Sequence, residues 1–168
     1  SLVAVFLPVI FTGGTTGKGK CAEYTIDNWL GCRDSFYAMP NQVFMPGTRN
    51  LQFAPLSHAA GMMVLPTFFR GGCIVTQNVP DLKQWCRIVE EEKITLSFLV
   101  PTLLYRLLDL EEARNHDLSS LQTIFYGAAP MSPDKLKLLR ARFGSIFLQA
   151  YAATESALAV GILDKGDH

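Results

Sequence analysis

The chain has 168 residues, 49% of them hydrophobic and 18% charged, which allows one domain with a substantial core and excludes a large multidomain enzyme. Its 15 Lys and Arg balance 15 Asp and Glu, and no basic run is interleaved with aromatics, so nothing points to nucleic acid or to an anionic surface. Cysteines 21, 32, 73 and 86 include no C-x-x-C pair and no His at zinc-ligand spacing, a pattern of reduced thiols in a cytoplasmic protein.

In chain order, the first apolar run is Leu2 to Phe11 ("LVAVFLPVIF"). It is shorter than the roughly 20 residues a bilayer requires, and it lacks the basic start and cleavage site of a signal peptide. It reads as a buried strand running into a glycine loop. Residues 25–38 read as a helix capped by Thr25, and Met39–Thr48 as a Pro/Gly loop. "NLQFA" (50–54) reads as a strand, and "HAAGMMVLPTFFRGG" as a buried helix closed by its glycine pair.

"CIVTQ" (73–77) is the next strand, before a strongly amphipathic helix, "PDLKQWCRIVEEEK". There Leu82, Trp85, Ile88 and Val89 share one face, and Asp81 with Gln84 is expected to form a capping box. "ITLSFLV" (94–100) is a buried strand, Thr102–Glu112 a helix, and "LQTIFYG" (121–127) another strand. Ser132 and Pro133 open a helix that Gly144 closes, and "SIFLQAY" and "ALAVGIL" are the last strands. Apolar strands alternating with helices predict an α/β fold, a mainly parallel sheet with helices on both faces. In such sheets ligands bind beyond the carboxyl ends of the strands.

The glycine loop "TGGTTGKGK" (12–20) combines backbone amides free to turn toward an anion with hydroxyls and two lysines. Residues 14–20 also fit the G-x-x-x-x-G-K spacing of a Walker loop, but Cys21 stands where a magnesium-binding hydroxyl belongs. None of the apolar strands ends in the Asp that would hold the metal, so the Walker reading fails. An ordinary glycine-rich loop is the bland alternative.

Four ordered motifs instead resemble the adenylate-forming superfamily, which includes acyl- and aryl-CoA ligases, peptide-synthetase adenylation domains and luciferases. "FTGGTTGKGK" is similar to its phosphate loop, "APLSHAAG" (54–61) to its P-x-x-H segment, "FYGAAPMSP" (125–133) to its adenine segment, and "YAATES" (151–156) to its Y-G-x-T-E motif. "ITLSFLVPTLLYRLL" also fits a run common in the family.

The resemblance implies that Thr12, Gly13, Gly14, Thr15, Thr16 and Gly17 hold the β- and γ-phosphates of ATP, with Lys20 at the family's lysine position. It places adenine against Gly127, Ala128, Ala129 and Pro130, with Tyr151 stacking on the ring. Thr154 would meet the α-phosphate, and Glu155 would bind Mg²⁺. His58 either borders the channel for the acid or is a hydrogen-bonded core residue. The bland counterparts are a tight strand-to-helix turn at 127–130 and a solvated charge at Glu155.

Two departures bear on this. Gly19 replaces a usual Pro and loosens the loop exit by about 0.5–1 kcal/mol of ordering. Ala152 replaces a Gly, which is unfavourable if that position needs positive φ.

The implied reaction is activation of a fatty or aromatic acid as an acyl-adenylate, followed by transfer to coenzyme A. The family's ribose-binding Asp, hinge and C-terminal lysine have no counterpart. Residues 1–168 are therefore expected to be a single AMP-binding core fragment, part of the N-terminal domain, with little turnover alone. Most of the acid pocket is expected to lie outside it, and apolar surface to favour a homo-oligomer. A non-catalytic scaffold retaining the fold is the alternative.

Overall fold

A computed structural model describes residues 9–13, 19–39, 43–57, 59–156 and 159–168. A six-stranded sheet organises the chain: β3 (Arg49–Gln52), β4 (Cys73–Thr76), β5 (Leu96–Phe98), β6 (Thr123–Gly127), β7 (Phe147–Ala152) and β8 (Ala159–Leu163). Their spatial order is β4-β3-β5-β6-β7-β8; the neighbours from β4 to β7 are parallel, and β8 closes the edge antiparallel to β7. The expected α/β fold, a mainly parallel sheet between helices, is the fold observed.

Strand periodicity sends alternate side chains to opposite faces, and each face has its own core. On one, Leu51, Ile124, Tyr126 and Phe147 pack under α3 (Leu82–Glu91), α4 (Pro101–Asp109) and α6 (Pro133–Phe143). On the other, Leu96, Phe98, Phe125 and Leu148 meet α1 (Ile26–Tyr37), Met62 and Met63. Trp85 joins α3 to the sheet: its Nε1 donates to Ser97 Oγ at 3.1 Å, and Ser97 donates in turn to the Leu51 carbonyl at 2.9 Å.

Several sequence expectations are corrected. In the first apolar run, the described strand is β1 (Val9–Thr12), and it lies outside the parallel sheet, pairing antiparallel with β2 (Lys20–Glu23). Phe11 is 70% exposed, because a two-stranded ribbon buries one face and here that face carries Ile10. Thr12 and Lys20, the described ends of the glycine loop, are accordingly paired with each other in this ribbon and do not end strands of the parallel sheet.

The helix expected near residue 60 is a 3-10 stretch, Ala59–Met63, running into a short α2 (Val64–Phe69). Gly61 sits so close to the Leu56 backbone that a Cβ would lie 1.8 Å from the carbonyl oxygen. Pro66 is tolerated because it falls in the first turn of α2, where no intrahelical N–H is needed. Phe68 and Phe69 are exposed, so this helix is not buried all round.

Asp81 caps α3 by accepting from the Lys83 amide at 2.9 Å, but Gln84 does not complete the box. Its Oε1 instead accepts from Gln77 Nε2 at 3.2 Å. A full capping box forms one helix earlier, where Thr25 and Asn28 bond reciprocally at the head of α1. The helix expected over residues 102–112 is α4 followed by a separate turn, α5 (Glu112–Asn115).

Ser97→Ala strands the buried Trp85 N–H, so this variant is expected to lose about 1–3 kcal/mol of stability in urea unfolding. A loss below a few tenths would show that the indole has another partner.

Candidate active site

β6 and β7 run side by side and end at the same edge, so the segments that follow them are neighbours by construction. At the end of β6, a Cβ on Gly127 would meet the Ala150 carbonyl oxygen at 2.5 Å, so only glycine lets the two strands approach this closely. The next residue, Ala128, has φ 65, a left-handed conformation that L-residues occupy at a cost of about 1–2 kcal/mol. Ala128, Ala129 and Pro130 are exposed. The far end of this turn is pinned where the Ser132 amide donates to the Tyr105 hydroxyl at 2.7 Å.

β7 ends in a register shift between Tyr151 and Ala152, and bulges of this kind re-aim the following side chains. Tyr151 is 74% exposed. A 3-10 turn follows, Thr154–Ser156, in which Ser156 Oγ donates to the Ala153 carbonyl at 2.8 Å. Glu155 is exposed on that turn, and Thr154 is half-buried.

The hairpin reaches the same edge. Its Ile10 lines a cavity of about 240 Å³ together with Gly127 and Ala128 at and just after the end of β6, and Ala152, Ala153 and Thr154 at and just after the end of β7. Phe36, Met62, Met63, Phe98, Phe125 and Ala150 form the interior of the cavity. Tyr24, immediately after β2, donates its phenolic hydrogen to the main-chain oxygen of Thr154. Burial, then the Cys32 thiol and the Glu155 carboxylate, push the Tyr24 phenol above its ordinary value, so it remains a donor at neutral pH.

Gly127, Ala128 and Thr154 thus line one cavity, and the hairpin bearing Thr12, Gly13 and Lys20 contributes to the same wall through Ile10. Thr12 pairs with Lys20, which closes the base of the loop between them. Gly14, Thr15, Thr16, Gly17 and His58 lie outside the described residues. Gly13 and Lys20 are exposed.

One correction concerns the site. Ala152 lies in a strand and not at positive φ, so its replacement of Gly carries no backbone penalty; the strained alanine is Ala128. The cavity itself was not foreseen in the sequence. Its aromatic and Met lining reads in sequence as ordinary core, and no local signal separates the two. Tyr24 was missed for a related reason: its partner is 130 residues away.

The residues present fit magnesium nucleotide. Glu155 is an exposed carboxylate that no ion pair consumes among the described residues, and Mg²⁺ commonly takes one or two carboxylates plus phosphate oxygens. Among those residues no cluster of three or more His, Cys, Asp or Glu forms a complete metal cage. No helix among them is long and apolar enough to cross a membrane.

A mainly parallel α/β sheet with a cavity at its carboxyl edge is the arrangement in which such folds commonly hold small-molecule ligands. A family model described as AMP-binding enzyme matches residues 6–168, and the chain belongs to that family. It is 37% identical to a medium/long-chain-fatty-acid–CoA ligase of Mycobacterium tuberculosis over 99% of its own length and 30% of the ligase. Identity to a feruloyl-CoA synthase of Amycolatopsis is 35%, over 94% of this chain and 32% of that protein.

Among solved structures, an amide bond synthetase from Marinactinospora thermotolerans superposes with TM-score 0.85 at 30% identity, covering 95% of this chain and 32% of the synthetase. The inhibitor-bound N-terminal domain of FACL13 from Mycobacterium tuberculosis gives TM-score 0.85 at 25% identity, covering 95% of this chain and 39% of that one. The fold is therefore that of part of the N-terminal domain of adenylate-forming enzymes, and the chain spans about a third of the length of these relatives.

Glycine substitutions locate the strain. Ala128→Gly is expected to be neutral or to stabilise by up to about 1 kcal/mol, because relief of the left-handed alanine offsets the added chain entropy. Ala152→Gly, in a strand, is expected to lose about 0.5–1 kcal/mol in the same urea assay. The reverse order would place the strain at Ala152.

Proposed function

We infer that this chain is the nucleotide-binding part of a carboxylate–CoA ligase, one that activates a fatty or aromatic acid with ATP and passes the acyl group to coenzyme A. The observation that carries this reading is the meeting of Ile10, Gly127, Ala128 and Thr154 around one cavity, from or beside three of the family motifs. Residues 1–168 are proposed to act as one unit that holds nucleotide. The ligases it resembles are about three times as long, and we assign the complete cycle to a chain of that length.

In this scheme Thr12, Gly13, Gly14, Thr15, Thr16, Gly17 and Lys20 hold the β- and γ-phosphates. Gly127, Ala128, Ala129 and Pro130 present a flat surface of small residues to adenine, and Tyr151 covers its other side. Thr154 donates to the α-phosphate. Glu155 supplies the carboxylate for Mg²⁺, which when bound neutralises phosphate charge. His58 guides the acid. A carboxylate oxygen attacks the α-phosphorus and pyrophosphate leaves. The coenzyme A thiol then loses its proton and attacks the acyl carbon, releasing AMP. Such displacements depend on positioning and charge neutralisation, which loops, hydroxyls and one carboxylate can provide.

The cavity narrows the acid. Its described lining contains no ionisable side chain, and Phe36, Met62, Met63, Phe98 and Phe125 suit an apolar tail. A cavity of about 150 Å³ holds benzene, so the 240 Å³ here suits one ring with a short arm or a chain of medium length. Self-association through the exposed Phe68 and Phe69 is a further proposal that rests on that exposure alone.

Calorimetric titration of Mg·ATP is expected to give saturable binding that Lys20→Ala weakens by about tenfold to a hundredfold, the range for losing a charge-assisted contact. Absence of heat from the unmodified chain would favour the scaffold alternative over the ligase reading.

A further inference from the structure

The hairpin and the Thr154–Ser156 turn come from opposite ends of the chain, yet one side chain joins them. Tyr24 is 3% exposed, and its hydroxyl donates to the main-chain oxygen of Thr154. We propose that Tyr24 is a positioning residue that sets the Thr154–Glu155 turn against β2, so that Lys20 and the Thr154–Glu155 turn meet a bound triphosphate together. The nucleotide part of this statement rests on the function proposed above; the tether itself rests on geometry alone.

Tyr24 is well placed to carry such a constraint. It lies four residues after Lys20, directly behind the last residue of β2, so its position follows the exit of the hairpin. On its other side is Thr25, whose capping box with Asn28 fixes the head of α1. The Tyr24 ring packs against Trp29 at 5.9 Å between centroids and belongs to the core that also contains Phe36, Met62 and Leu148.

The turn it holds needs support. A three-residue 3-10 element is marginal by itself, and the Ser156 hydroxyl bonds locally to the Ala153 backbone. Tyr24 supplies the long-range bond to Thr154. Thr154 lines the cavity, and Glu155 follows it, so a drift of this carbonyl carries both proposed nucleotide contacts with it.

Tyr24→Phe tests the tether, because the ring and its burial remain while the donor is lost. Two measurements are made on the full chain. Hydrogen exchange over residues 150–156 is expected to quicken in the variant by about threefold to tenfold, the effect of one net hydrogen bond, while exchange in α3 and α6 stays unchanged. Mg·ATP affinity is expected to fall by a similar factor while adenosine affinity holds, a split that a general loss of packing would not produce.

Unchanged exchange over 150–156 would overturn the proposal whatever ATP does. Faster exchange there with equal losses for adenosine and Mg·ATP would also overturn the positioning role. If the unmodified chain binds no Mg·ATP, the nucleotide reading fails, and the exchange result alone decides whether Tyr24 holds the turn.

Discussion

Between Gly127 and the Ala150 carbonyl there is room for a hydrogen and nothing larger, since a Cβ would sit 2.5 Å from that oxygen. This close approach lets β6 and β7 stay paired up to Gly127, the last residue of β6. From it follow the adjacent exits of the Gly127–Pro130 and Tyr151–Glu155 segments, the left-handed Ala128, and the cavity wall they share. A larger residue at 127 would part the strand ends and separate those segments. Backbone strain at a strand end is tolerated when packing over-determines it, and here Tyr126 and Phe147 pack edge to face beneath the turn.

The site is built on two supports of different kinds. The parallel sheet, with a core on each face, fixes where the segments after β6 and β7 leave the strands. The hairpin is an add-on, a two-stranded ribbon that docks through Ile10, Ala22 and Tyr24 onto the core containing α1. The Tyr24–Thr154 bond ties the exit of this ribbon to the segment that follows β7.

Most of the sheet was legible in the sequence because buried parallel strands are continuous apolar runs separated by helices of clear period. Leu96–Phe98, Thr123–Gly127 and Phe147–Ala152 all appeared this way, as did the caps at Thr25, Asp81 and Ser132. The errors arose where local pattern and tertiary role diverge. Residues 9–12 share the apolarity of a core strand but pair as a ribbon, since pairing partner is not written in composition. The stretch at 59–69 splits because Gly61 is pressed against the Leu56 carbonyl, a contact invisible to periodicity. The motif residues were visible as motifs; the cavity lining and Tyr24 were not, because Phe36, Phe98 and Phe125 differ from core residues only in what they face, and a tyrosine signals no partner so far along the chain.

The central claim, that the hairpin tip and the two strand-end segments surround one nucleotide, is tested most directly by titrating Mg·ATP into the ¹⁵N-labelled chain and mapping amide shifts. Shifts at Gly13, Lys20, Ala128, Ala129, Thr154 and Glu155 that saturate together with one dissociation constant are the predicted result. Shifts confined to one of the three segments, or gathered instead at the polar groove around Asp81, Arg87 and His116 on the far side of α3, would contradict it.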